Sequence, residues 1–116
     1  YVSDSQNDET YYSGDNRQPT VYWESRQGLI TTEGGKQSAA TALDHEMDHA
    51  VDDANNHKQH VERRQRGDSN YDNKEERRVI TGSEAQTAKG NKEAVRRNHR
   101  GKSYRTISPT STTPSK

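Results

Sequence analysis

One stretch, Gln37 to Asn55, constrains the fold more than the rest of the chain, because it is the most periodic segment. With Leu43 set at 0° and a step of about 100° per residue, Ala39, Ala40, Leu43, Met47, Ala50, Val51 and Ala54 fall within an arc of roughly 120°. Ser38 stands in front as an N-cap and Asn55-Asn56 is a reasonable stop. The pattern predicts an amphipathic helix whose apolar arc packs into a core and whose opposite face points into a cleft.

The helix matters because so little else can form a core. The 116 residues hold 23% hydrophobic residues, no Phe, one Trp and one Met, with a mean hydropathy of −1.54. Such a composition alone suggests disorder. Two features oppose that reading: the formal net charge is zero, and the apolar residues are grouped. The length fits one domain. A domain this poor in core would benefit from a metal, a partner or the rest of a parent protein. No run approaches the ~18 apolar residues of a membrane helix, and no signal-peptide h-region is present. With no cysteine, disulfides, Cys-ligated zinc and Cys nucleophiles are excluded.

On the helix sits His45-Glu46-Met47-Asp48-His49, the HExxH pattern. Side chains four apart project from one helix face, so two imidazoles can reach one metal ion. Glu46 lies about 100° round from His45, close enough to take a proton from a water activated by that metal. On the wheel His45 and His49 lie opposite the apolar arc, with Glu46 on its shoulder. In a chain of this composition the pattern arises by chance with a probability of about 2%.

The remaining segments are shorter. Residues 1–19 read as a polar N-terminal segment with a turn at Ser13-Gly14-Asp15-Asn16. Thr20–Glu24 and Leu29–Thr32 read as a β-hairpin turning at Gln27-Gly28. Residues 57–73 read as an exposed helix fragment or loop. Ser83 is placed to cap a helix from Glu84 to about Arg97, Tyr104–Ile107 suggests a last strand, and 109–116 reads as a loose tail. The expected class is α+β, a short hairpin or sheet packed on the HExxH helix plus a C-terminal helix. Charge is unevenly split: residues 1–55 carry 11 acids and 3 bases, and residues 56–116 carry 7 acids and 15 bases. The halves are expected to attract each other within one fold rather than to meet nucleic acid, since a nucleic-acid binder usually carries net positive charge.

Ala42–Ala50 resembles the active helix of zincin-like metallopeptidase toxin domains, which sit at the C-termini of Rhs/YD-repeat polymorphic toxins and are similar to secreted effector zinc peptidases. Glu75-Glu76, Val79-Ile80 and Gly82-Ser83-Glu84 resemble the segment that follows the active helix there, and His99, Gly101 and Tyr104 resemble the closing stretch. The matches span residues 20–108. One departure is Asp48, where the family usually has Gly.

The resemblance implies a small zincin-like domain and a zinc-dependent endopeptidase, delivered into a target cell as the warhead of a secreted effector. Its partners would be a protein substrate, a cognate immunity protein and the parent Rhs/YD-repeat polypeptide. Zn²⁺ would be held by His45, His49 and a third ligand, for which Glu84 is the first choice. Glu75 and Glu76 come next, then His57 and His60. Glu46 would be the general base. Asp52 or Asp53 could hold a histidine tautomer, and His99, Tyr104 or Arg97 could stabilise the oxyanion. Tyr22 and Trp23 could border the substrate or serve as core. Two other readings are carried: a nucleic-acid-targeting toxin using the basic half, and a non-catalytic zincin-fold module.

Overall fold

A computed structural model describes residues 1–5, 9–14 and 19–115. Its elements in chain order are β1 (Val2–Asp4), β2 (Tyr11–Ser13), β3 (Thr20–Trp23), β4 (Gln27–Ile30), β5 (Lys36–Gln37), α1 (Ala39–Asn55), α2 (His57–Gln65), β6 (Gly67–Asp68), β7 (Asp72–Asn73), α3 (Lys74–Thr81), α4 (Ser83–Gly90) and β8 (Lys102–Arg105). The class is α+β, as expected from the sequence.

The strands form two three-stranded sheets and a small hairpin. One sheet has the order β1-β3-β2, with β1 parallel and β2 antiparallel to β3; the other has the order β5-β4-β8; β6 pairs with β7. The expected 20–32 hairpin is therefore corrected. A turn closes where the Gln27 amide donates to the Glu24 carbonyl, 3.1 Å, but β3 and β4 then part into different sheets. Each already has a partner on both edges, which leaves neither free to pair with the other. Residues 1–5 and 9–13 join this architecture through β1 and β2. The turn expected at 13–16 lies partly outside the described residues.

α1 begins where Ser38 Oγ accepts from the Thr41 amide, and it ends at the Asn56 cap, as the sequence suggests. The predicted exposed stretch 57–73 holds α2 and the β6–β7 hairpin. The helix expected over 84–97 is shorter, α4 ending at Gly90, and a separate helix, α3, precedes it over Lys74–Thr81. Asn73 caps α3 by accepting from the Glu76 amide. Gly82 breaks the pair, because a Cβ there would lie 2.6 Å from the Arg78 carbonyl oxygen. Ser83 does not cap; its hydroxyl donates to Asp48. The segment expected to be a loose tail folds back. Thr106 bridges Pro114, the Ala40 amide donates to the Pro109 carbonyl, and the Ser115 amide donates to the Arg105 carbonyl.

The orientation of α1 reverses the expectation drawn from its wheel. Ala39 apart, the deeply buried residues lie on the histidine face, with His45 2%, His49 5% and Asp52 8% exposed, while Met47 and Val51 on the apolar arc are 43% and 56% exposed. α2, α3 and α4 pack against α1 and enclose its polar side, and β2 and β3 cover part of the other. The reason is electrostatic. Glu75, Glu84, Arg63 and Arg78 come from the three short helices and neutralise the α1 side chains on contact. Among the described residues, six apolar and eleven polar residues are buried, so the interior is chiefly a hydrogen-bonded ionic one. No described buried side-chain nitrogen or oxygen lacks a partner, which is what permits such an interior. Contacts such as Asp48–Arg78 and Asp52–Arg63 join the acidic half to the basic half.

Candidate metal centre

The HExxH spacing brings both imidazoles to one point. His45 Nε2 and His49 Nε2 lie 3.0 Å apart. A third donor arrives from the first turn of α3: Glu76 Oε1 is 2.8 Å from His45 Nε2 and 3.0 Å from His49 Nε2. In a tetrahedral shell with bonds of about 2.0–2.1 Å, ligand atoms lie about 3.3 Å apart. An opening of a few tenths of an ångström would admit an ion among these three atoms. The donor set of two imidazoles and one carboxylate therefore fits a divalent metal.

Glu84, the first choice for a third ligand, does not join that point; the structure places Glu76 there instead. Glu84 is buried on the far side of His45, with Oε1 2.7 Å from Nδ1. Arg96 and Gln37 donate to it. Glu75 does the same for the other ring, its Oε2 2.8 Å from His49 Nδ1. Each imidazole thus has a carboxylate on Nδ1, which fixes the ring and, in its neutral form, the tautomer whose Nε2 lone pair is free to bind a metal. Glu75 and Glu76 are adjacent on α3, so their side chains diverge by about 100°; one reaches Nδ1 of His49 and the other its Nε2.

Behind Glu75 stands a further network. Arg63 Nε donates to Glu75 Oε1 at 2.8 Å, Arg78 donates to Glu75 and Asp48, and His60 Nδ1 lies 2.9 Å from Asp52 Oδ2. Asp52, His60 and Glu75 have a geometry that could hold an ion, but Arg63 and Arg78 already supply the countercharge. Asp48 ties α1 to Arg78 and Ser83.

The electrostatics follow from these contacts. Burial opposes protonation of His49, but the Glu75 and Glu76 carboxylates override it and raise the pKa to about 10; His45 is raised in the same way by Glu76 and Glu84. Burial would raise the Glu76 carboxyl, yet the two histidines hold it well below the usual carboxylate range. Glu84 is likewise pulled down, to about 2, against its burial, by His45 and Arg96. Glu46 differs: burial pushes its pKa up, more than the nearby histidines lower it. Its Oε1 sits 3.8 Å from His45 Nε2, within reach of the point where the donors meet.

The other sequence candidates separate clearly. His99 belongs to the site: its ring stacks on His45 at 5.9 Å between centroids, its Nε2 is 3.4 Å from Glu76 Oε1, and its Nδ1 is 2.6 Å from Asp72. Asp72 opens β7 with φ 71°, a conformation that short polar side chains tolerate best. Asp53 does not touch a site histidine; it pairs with Tyr12 and with the exposed His57. Tyr104, on β8, donates to the Thr112 carbonyl, and Arg97 is an exposed partner of Glu33. Trp23 Nε1 donates to the Ala39 carbonyl and Tyr22 stacks on Tyr11, so both serve packing. Asp72, Arg63, Arg78 and Arg96 were not singled out from the sequence, and nothing in their spacing marks them.

The space beside Glu46 opens on two flanks. One lies between α1 and the β4–β8 strands, bordered by Gln27, Leu29, His45, His99 and Ser103. The other is bordered by Tyr12, His49, Arg64 and Glu76. No family model, curated protein or solved structure matches the chain.

Proposed function

We propose that the domain is a zinc-dependent endopeptidase and, by the resemblance of its motifs, the toxic part of a secreted bacterial effector restrained by an immunity protein. The observation that carries this reading is the meeting of His45 Nε2, His49 Nε2 and Glu76 Oε1 within 3.0 Å of one another, beside a Glu46 whose carboxyl is raised by burial.

His45, His49 and Glu76 would hold the ion. A bound zinc supplies Lewis acidity, polarising a carbonyl and making a water acidic near neutral pH. Glu84 and Glu75 accept the Nδ1–H bonds and keep both rings in the tautomer that offers Nε2. Glu46 accepts a proton from the attacking water and returns it to the departing amine. Its raised pKa suits both duties, since a proton carrier works best when its pKa approaches the working pH. His99, steered by Asp72, donates to the oxygen of the carbonyl under attack as charge develops there.

The nucleic-acid reading gains little support. Arg63, Arg78 and Arg96 of the basic half are engaged with Asp52, Glu75 and Glu84 rather than left for phosphate.

The decisive test is Glu46→Gln. The variant should bind zinc at wild-type stoichiometry and lose both peptide cleavage and toxicity on expression without the immunity partner. Full toxicity in Glu46→Gln would refute the enzymatic reading.

A further inference from the structure

Arg64 is the one arginine bordering the centre that has no ion-pair or hydrogen-bond partner among the described residues. Its neighbours are all engaged: Arg63 with Asp52 and Glu75, Arg78 with Asp48 and Glu75, Arg96 with Glu84. The helix explains the division. His60 and Arg64 are four apart on α2 and share a face. His60 fills the inner end of that face, 1% exposed against Asp52 and Glu75. Arg64 stands one turn further out, exposed, at the rim of the pocket it shares with Tyr12, Glu46, His49 and Glu76.

The two flanks of Glu46 therefore differ in charge. The β4–β8 flank offers Gln27, Leu29 and Ser103 beside His99, and its one arginine, Arg96, is already paired with Glu84. The His49 flank offers an exposed cation, unpaired among the described residues, beside Glu46, Glu75 and Glu76. A substrate carboxylate entering on this side would be repelled by Glu46 and Glu76 unless Arg64 met it, and a guanidinium fork matches a carboxylate with two parallel bonds.

We infer that Arg64 is a specificity residue that receives an acidic side chain of the substrate on the His49 flank of the scissile bond. This rests on the peptidase reading and narrows its substrate class to acid-bearing peptides.

The test is digestion of a proteome-derived peptide library by the zinc-loaded full chain and by its Arg64→Ala and Arg64→Glu variants, with cleaved bonds read by mass spectrometry. Equal zinc content in all three proteins shows that the centre is intact. Wild type should enrich Asp or Glu severalfold at one position near the cut. Arg64→Ala should flatten that preference, and Arg64→Glu should replace it with Lys or Arg. Cleavage by wild type with no acidic enrichment, or an acidic enrichment that survives Arg64→Glu, overturns the assignment and leaves the peptidase reading standing. Absence of any cleavage by the zinc-loaded wild type overturns both.

Discussion

Glu76 and Glu84 offer a clean comparison, because both are acids contacting His45 and only one stands where two Nε2 atoms meet. Consider Glu76→Gln and Glu84→Gln, each measured by competition with a chromogenic zinc chelator at neutral pH. Glu84→Gln leaves the three donor atoms in place but removes the charged acceptor on His45 Nδ1, 2.7 Å away. Loss of such a supporting carboxylate costs about 10–100-fold in metal affinity, or about 1.4–2.7 kcal/mol. It also deprives the largely buried Arg96 of its countercharge. A retained amide oxygen keeps one acceptor, so unfolding free energy should fall by about 1–3 kcal/mol. Glu76→Gln replaces an anionic donor with a weaker neutral amide oxygen and takes a unit of negative charge from the ion itself, so its loss of affinity should exceed that of Glu84→Gln. Its effect on the folded metal-free protein should be smaller, because Glu76 is partly open to solvent and has no guanidinium to abandon. The reverse ranking, zinc retained in Glu76→Gln and lost in Glu84→Gln, would refute the assignment of the third donor.

Three further outcomes follow from the same contacts. Metal-free protein should be most stable between about pH 4.5 and 6.5: the depressed Glu75, Glu76 and Glu84 carboxyls contribute above their ordinary 4.5 and lose it on acidification, and the raised His45 and His49 contribute below 6.5 and lose it as pH climbs, for His49 towards about 10. Zinc should move that maximum upward, and denaturant melts across pH that show no such move would contradict the ligand set. His99→Ala should lower kcat by about 10²–10³-fold, the usual cost of a lost oxyanion donor, with zinc affinity within a few-fold of wild type; a lost zinc ion would mark His99 as a ligand instead. Gly82→Ala should destabilise by roughly 1–3 kcal/mol, since its Cβ meets backbone at 2.6 Å, read as a shift in chemical denaturation midpoint.

The legible part of the site was what one helix encodes by itself. His45, Glu46 and His49 lie within five residues, and the spacing alone carries their convergence. Glu76 was harder, because the choice among Glu75, Glu76 and Glu84 depends on how α3 and α4 break at Gly82, a close backbone approach that no periodicity records. The α1 wheel misled for a related reason. An apolar arc points inward when apolar partners wait for it, and here the partners were Arg63, Arg78, Glu75 and Glu84, scattered over more than twenty residues and invisible to a hydrophobicity pattern. The hairpin failed because strand pairing is decided by which edges remain open, and the partners of β3 and β4 came from residues 2–4, 11–13, 36–37 and 102–105.

The ionic interior has a consequence for how the chain behaves once it is open. Exposure of apolar surface raises the heat capacity on unfolding and exposure of polar surface lowers it. A core with six buried apolar residues against eleven polar ones should unfold with a small heat-capacity change and a broad, shallow dependence of stability on temperature. Its unfolded chain also presents few adhesive segments to other chains. Such a protein should refold after unfolding with little loss to aggregation, and an ion bound at the centre would return part of the conformational cost.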